Sequence, residues 1–132
     1  MAIFAFGLTA CATPPTTAPQ ASAIDYTRTG GIIGANDRLV VDANGHAKLT
    51  RRTTNAEFDL RRDQLSQIQA AFQTASFATL KENSMPAQPV ADGFIYEIVY
   101  QGHKVRTGDT AVPEKLQPVI QILNRIVDSG GK

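Results

Sequence analysis

Short stretches in which apolar and polar residues alternate predict a chain rich in half-buried β-strands. Residues 24–27 alternate in this way, which predicts a strand with Ile24 and Tyr26 on one side. The polar residues between them, together with Arg28, are expected on the opposite side. The folded domain is therefore expected to begin at this strand.

Further strands follow in hairpin order. Residues 38–42 and 47–53 continue the alternation, and Asn44 and Gly45 lie between them. An Asn-Gly pair is the strongest short-range signal for a tight hairpin turn. Residues 94–100, FIYEIVY, form the clearest strand in the chain, and a Gln-Gly turn leads from it into a last strand.

Two stretches repeat apolar residues at the period of a helix. The first covers about residues 62–74, and the second begins after Val112 and Pro113, because proline suits a first helical turn. Pro118 removes a backbone hydrogen bond, so this helix either begins near Leu116 or opens with a loose turn. The positions expected to face the core are Leu65, Ile68, Phe72 and Ala75 in the first helix and Leu116, Ile120, Leu123 and Val127 in the second.

The order of elements is β-β-β-α-β-β-α. Hairpin-connected strands combined with helices predict an α+β domain, with an antiparallel sheet of about five strands and two helices packed on one face. Residues 81–93 contain Pro86, Pro89 and Gly93 and follow no regular pattern, so a long loop is expected. Long loops in small domains are often functional, which makes this one a candidate contact region.

The stretch RTGGIIG at 28–34 joins two predicted strands. Glycine adopts backbone conformations that are costly for other residues, so a tight turn is expected. The stretch has neither the lysine nor the following helix of a phosphate-binding loop, which excludes that function. It is either a structural corner or an apolar tip that docks into a partner. We expect mainly a corner, with Ile33 buried and Ile32 exposed.

A partner-binding surface would draw on the glycine turn, the Asn-Gly turn and the long loop. Each of these segments connects regular elements, and loops carry most binding residues in proteins. The candidate partner-binding residues are Gly30, Gly31, Ile32, Ile33, Gly34, Asn44, Gly45, Met85 and Pro86.

Composition narrows the classes of function. With 132 residues and a net charge of +1, the chain has room for one domain and no excess charge to attract nucleic acid. The two histidines, His46 and His103, are both expected at exposed hairpin turns, where they supply neither a catalytic triad nor a clustered metal site. We therefore expect no enzyme activity, no metal, no cofactor and no nucleic-acid partner.

The first residues resemble the signal of a bacterial lipoprotein. Residues 1–10, MAIFAFGLTA, are apolar and end in small residues before Cys11, so that LTAC resembles a lipobox, in which the leader is cleaved and the cysteine acylated. The alternative is an apolar start followed by an inert cysteine. Residues 11–23 are rich in proline, threonine and alanine and carry no charge, which predicts an extended tether. By analogy with lipoproteins, Ala12 predicts sorting to the periplasmic face of the outer membrane.

Four motifs follow one another in the folded part. They are YTRTGGIIG at 26–34, the helix ending in ASFATL at 75–80, DGFIYEI at 92–98, and the Val-Pro start of the last helix. In this order they are similar to the emfourin family, small protein inhibitors of the thermolysin-like zinc metallopeptidase protealysin. The resemblance covers about residues 24–127. It implies a binding protein with a secreted thermolysin-like metallopeptidase as its partner.

Two functions remain open at this point. The first is a membrane-tethered inhibitor of such a metallopeptidase in the bacterial envelope. The second is an envelope lipoprotein with a structural or assembly role and no inhibitory activity, in which the glycine stretch is only a strand corner. In both, the chain divides into a signal peptide at 1–10, an acylated cysteine and tether at 11–23, one α+β domain at 24–128, and a disordered tail at 129–132.

Overall fold

The strand β1 (Ser22–Gly30) lies at the centre of a seven-stranded sheet in the computed structural model, which describes residues 22–132. The other elements, in chain order, are β2 (Ala35–Asp42), β3 (His46–Thr50), β4 (Asn55–Asp59), α1 (Arg62–Thr74), β5 (Asn83–Ser84), β6 (Phe94–Tyr100), β7 (His103–Gly108) and α2 (Gln117–Ser129). Across the sheet the strands run in the order β4-β3-β2-β1-β6-β7-β5. Neighbouring strands are antiparallel, except for β5 and β7, which are parallel.

This architecture confirms the predicted α+β class with two helices, and it corrects the sheet from about five antiparallel strands to a mixed sheet of seven. The two additional strands are β4 and β5. In β4 only Ala56 and Phe58 are apolar, which is too few for the alternation to predict a strand. The two residues of β5 lie inside the predicted loop and form a strand only because β7, distant in sequence, pairs with them.

The helices cover one face of the sheet as their periodicity predicted. The first helix has the predicted bounds, and Ile68 and Phe72 are its buried residues. A short 3₁₀ turn over Glu114–Leu116 precedes α2, so Pro118 falls in the first turn of the helix, where its missing N–H has no intrahelical partner to lose. The buried stripe of α2 comprises Val119, Ile120, Leu123, Ile126 and Val127.

The alternation of β1 continues one residue further than predicted. Its inward side chains are Ile24, Tyr26 and Arg28, so the expected outward position of Arg28 is wrong. The register with β6 is unbroken from Ile24 to Gly30, and every second residue therefore points to the helices. Only 6% of Arg28 is exposed. The outer face instead carries exposed cross-strand ion pairs such as Arg38–Asp25 and Lys104–Glu97.

The turns of the sheet lie at two opposite ends. We call one end of the sheet the glycine end. It holds the turn between β1 and β2, the start of β6, and the loop that follows β5. We call the opposite end of the sheet the N-terminal end. It holds Ser22 at the start of β1, the turn between β2 and β3, and the turn between β6 and β7. A strand the length of β2 spans about 23 Å, so one compact contact cannot include the turns at both ends.

The chain ends are placed as follows. Ser129, assigned above to the tail, is the last residue of α2, and Gly130 adopts φ of 61° as its C-cap. The N–H of Gly131 donates to the carbonyl of Ile126 at 3.3 Å, which closes the helix.

At the N-terminal side, β1 begins at Ser22. The predicted leader, Cys11 and the tether up to residue 21 lie outside the described residues. Within residues 22–132, no helix is long and apolar enough to cross a bilayer.

The turn between β6 and β7 gives a first testable prediction. Gln101 and Gly102 have φ of +49° and +79°, the type I′ geometry that Asn-Gly favours. Because a left-handed backbone is costly for glutamine and tolerated by asparagine, Gln101→Asn should raise the free energy of unfolding by about 0.5–1 kcal/mol. Urea denaturation measures the difference. Gly102→Ala is the matched control and should destabilise through φ alone, since nothing lies within 4 Å of a Cβ there. An asparagine variant no more stable than the parent would contradict this account of the turn.

Candidate functional site

The turn between β1 and β2 holds two isoleucines out in solvent. The N–H of Gly34 donates to the carbonyl of Gly31 at 3.1 Å, which closes a β-turn with Ile32 and Ile33 at its central positions. The side chains of Ile32 and Ile33 are 87% and 70% exposed. The expectation that Ile33 is buried is therefore wrong, because the turn projects past the end of the sheet and neither helix covers it. We call Ile32 and Ile33 the apolar tip.

Glycine is required where this turn rests on β6. The N–H of Gly31 donates to the carbonyl of Gly93 at 3.2 Å. A Cβ added to Gly30 would lie 2.7 Å from that carbonyl oxygen, and one added to Gly31 would lie 2.6 Å from the ring of Phe94. Both glycines also have positive φ, +93° and +71°. The turn is therefore fixed to the start of β6 by a close approach that a side chain would block.

A buried ion-pair cluster lies beneath the turn. The Nε and Nη2 atoms of Arg28 donate to Oδ2 of Asp37 at 3.0 and 2.7 Å, and Nη2 also donates to Oδ1 of Asp128 at 2.8 Å. Nη1 donates to Oδ1 of Asn124 at 3.1 Å. Burial by itself would lower the pKa of Arg28, but the hydrogen bonds to Asp128 and Asp37 outweigh it and raise the pKa. The guanidinium therefore stays charged and ties β1 to β2 and α2.

Sequence reasoning missed this cluster, although a signal for it was present. Along β2, Asp37 is in phase with the buried Leu39, as Arg28 is with Tyr26 along β1. A positive and a negative residue at paired positions on the inward side of neighbouring strands indicate a buried ion pair. The partners on α2 had no such signal, since their proximity depends on how the helix crosses the sheet.

Two tyrosines near the cluster act as hydrogen-bond donors. The hydroxyl of Tyr26 donates to Oδ1 of Asn124 at 2.7 Å, and that of Tyr96 donates to Oδ1 of Asp109 at 2.5 Å. Burial, followed by the contact with Asp109, raises the pKa of Tyr96 to about 12. Burial likewise raises the pKa of Tyr26. Both phenols are therefore neutral near pH 7 and serve as structural donors.

The loop that follows β5 lies at the same end as the apolar tip. Met85 and Pro86 pack beside Gly108, where a Cβ would come within 3.0 Å of the proline ring. Val90, 51% exposed, adds an apolar side chain to the surface of the loop. Between this loop and the turn lies a cavity of about 180 Å³, lined by Gly30, Met85, Pro86, Pro89, Val90, Ala91, Gly93, Phe94, Ile95, Gly108, Asp109 and Thr110. Seven of the nine candidate residues thus share the glycine end.

Asn44 and Gly45 lie at the N-terminal end, away from the tip. The hairpin predicted from them is present: the N–H of Gly45 donates to the carbonyl of Asp42 at 3.1 Å, and Gly45 has φ of +87°. Gly45 is buried, and a Cβ there would lie 3.4 Å from Leu65. Its carbonyl accepts from the N–H of Leu60 at 2.9 Å. This turn therefore supports α1 and does not belong to the surface around the tip.

The two histidines have structural partners. Nδ1 of His46 lies 2.7 Å from Asp59, and this hydrogen bond, with a smaller effect of Glu57, raises the pKa of His46. His103 is half-buried rather than exposed: its Nε2 lies 2.8 Å from the carbonyl oxygen of Leu80. Within residues 22–132, no group of three or more His, Cys, Asp or Glu side chains is arranged to hold a metal.

These features define a small α+β domain with exposed apolar side chains on a fixed turn at one end of its sheet. The family model described as Emfourin matches residues 44–124, which is more than half of the chain. The chain belongs to the Emfourin family, and the resemblance stated above is confirmed. The matched range begins after the glycine turn, so the role of the turn is argued from its own geometry. None of the curated proteins matches the chain.

Two alanine substitutions in the turn give a second prediction. Gly31→Ala should lower the free energy of unfolding by about 3 kcal/mol, because it combines a positive φ with overlap of the Phe94 ring. Gly34→Ala, at φ of +60° but with only the tip of Arg52 nearby at 3.7 Å, should cost about 1–2 kcal/mol. Urea denaturation of both variants checks the difference. Equal losses would show that the ring does not constrain the turn.

Proposed function

We propose that this chain is a protein inhibitor of a thermolysin-like metallopeptidase of the protealysin type, and that it binds through the glycine end of the sheet. Membership of the Emfourin family supports the class of target. The exposure of Ile32 and Ile33 on a fixed turn carries the assignment of the surface. The partner-binding set becomes the turn Gly30–Gly34 together with Met85, Pro86 and Val90.

The apolar tip is suited to binding because it is already ordered. Burial of an isoleucine side chain contributes about 1.5–3 kcal/mol, so the two together can supply a substantial part of a tight interaction. The turn is closed by its own hydrogen bond and by the contact of Gly31 with Gly93, and little further ordering is needed on binding. A preformed tip therefore retains more of this energy than a flexible loop would.

Inhibition at this surface is proposed to be steric. The turn Gly31–Gly34 carries only glycine and isoleucine, so it offers no side chain that would coordinate the zinc ion of a metallopeptidase. A tip of this kind fills part of a cleft and excludes substrate. The inhibitor is then expected to remain intact and chemically unchanged in the complex.

We further propose that the domain is tethered to the envelope through an acylated Cys11, at the periplasmic face of the outer membrane. The basis is the lipobox-like sequence and the uncharged Pro/Thr/Ala-rich stretch after it. Ser22 enters the domain at the N-terminal end, where it pairs with Asp42, while Gly30 pairs with Ala35 at the glycine end. A tether attached in this way leaves the apolar tip directed away from the attachment point.

Removal of the apolar tip tests the proposed surface. The double change Ile32→Ser, Ile33→Ser should weaken inhibition of a protealysin-type peptidase by about 100-fold or more, since two apolar side chains no longer enter the cleft. Stability should stay close to that of the parent, because both side chains are exposed. Inhibition constants and urea denaturation provide the two measurements.

The matched control for this experiment is Val99→Ser, which removes a half-buried apolar side chain from the outer face of the sheet and should leave inhibition unchanged. Unaltered inhibition by the double variant would rule out the tip as the contact. If the parent protein itself leaves peptidase activity intact at stoichiometric excess, the inhibitor function fails and the structural or assembly role in the envelope takes its place.

The mass of the mature protein tests the tether. Protein purified from bacterial membranes should have the mass of a chain beginning at Cys11 plus acyl groups, and Cys11→Ser should remain unprocessed. Mass spectrometry of the intact proteins distinguishes the two. A mature protein with a free thiol at Cys11 would exclude the lipid anchor.

A further inference from the structure

The ring of Phe94 contacts both the glycine turn and the buried arginine. A Cβ on Gly31 would lie 2.6 Å from its Cε1 atom, so the turn backbone rests directly on the ring. The guanidinium carbon of Arg28 lies 5.4 Å from the ring centroid, within the range of a cation–π contact. Phe94 is therefore the side chain through which Arg28 reaches the turn.

Arg28 is itself fixed from several directions. Asp37 on β2 accepts hydrogen bonds from Nε and Nη2 of Arg28. On α2, Asn124 accepts one from Nη1 and Asp128 accepts a second one from Nη2. Arg28 and Asp37 are only 6% and 5% exposed, so water does not compete for the two bonds between them, whereas Asp128 lies at the exposed edge of the cluster. The guanidinium is planar and rigid, and four hydrogen bonds define its orientation.

We propose that Arg28 is the positioning residue of the apolar tip: its guanidinium, held by Asp37, Asn124 and Asp128, keeps the ring of Phe94 beneath Gly31 and so sets the direction in which Ile32 and Ile33 project. The effect of Arg28 on the peptidase rests on the proposed function. Its effect on the turn does not.

The proposal requires a guanidinium and not merely a positive charge. A lysine at this position keeps a charge near Asp37, but its ammonium has three donors on one nitrogen and cannot reproduce the four bonds that three spaced guanidinium nitrogens make to Asp37, Asn124 and Asp128. Arg38 provides the comparison within the same pair of strands. It forms a two-point bond with Asp25, at 3.0 and 2.6 Å, but on the exposed outer face of the sheet, opposite the face on which Arg28 lies.

The test compares Arg28→Lys with the matched control Arg38→Lys. Amide hydrogen exchange of the full domain should accelerate about tenfold or more at Gly31 and Gly34 in Arg28→Lys, and by less at the core amides of Leu39 and Ile98. Arg38→Lys should match the parent at all four amides. Inhibition of a protealysin-type peptidase, measured where both variants are fully folded, should weaken about tenfold in Arg28→Lys alone.

Unchanged exchange at Gly31 and Gly34 would overturn the proposal, as would an equal acceleration at every amide, which is the result of a purely structural role. If Arg28→Lys does not fold, Asp128→Ala removes one partner at the exposed edge of the cluster and should show the same turn-specific acceleration to a smaller extent. If the parent does not inhibit the peptidase, the proposed function fails, and the exchange measurements still decide the positioning role.

Discussion

The buried ion pair between Arg28 and Asp37 is the constraint on which the rest of the domain depends. Charges are costly to bury, and they persist inside a protein only when they are paired and hydrogen-bonded. Here Asn124 and Asp128 complete the guanidinium's bonding, and α2 must therefore cross the sheet where these side chains meet β1. Loss of one partner from a buried pair costs about 3–5 kcal/mol, which is a large share of the roughly 5–15 kcal/mol that stabilises a typical domain. The same cluster thus holds α2 against the β1–β2 hairpin and contacts Phe94, on which the turn of that hairpin rests.

The hairpin turns at the two ends of the sheet are packed differently. At the N-terminal end, Gly45 is buried against the start of α1, although Ala43 and Asn44 before it are exposed. At the glycine end, Gly31 makes a similarly close contact with Phe94, but the residues beyond it project into solvent. Both turns expose residues, but only the turn at the glycine end exposes large apolar side chains.

Local periodicity predicted most of the fold and less of the candidate site. The bounds of α1 and the core stripe of α2 followed from helical spacing, and the Asn-Gly pair marked a real hairpin. By contrast, β5 exists only through pairing with β7, which no local pattern reveals. Arg28 was expected on the outer side with Asp25 and Thr27, whereas it keeps the alternation of β1 and points inward like Tyr26. The exposure of Ile33 depends on how far the helices reach, a property of tertiary structure.

The position of the apolar tip is fixed by strands on both sides of its hairpin. The range matched by the Emfourin family contains β3 and β6, whereas β1 and β2 both precede it. Since β2 pairs with β3 and β1 pairs with β6, the hairpin fills the gap between two strands of the matched range. Backbone pairing therefore sets the end of the sheet at which the turn lies. Gly30 and Gly31 are held by their contacts with Gly93 and Phe94, whereas Ile32 and Ile33 are exposed and unconstrained by packing. We therefore infer that target recognition resides in the apolar tip, while the matched scaffold supplies its position.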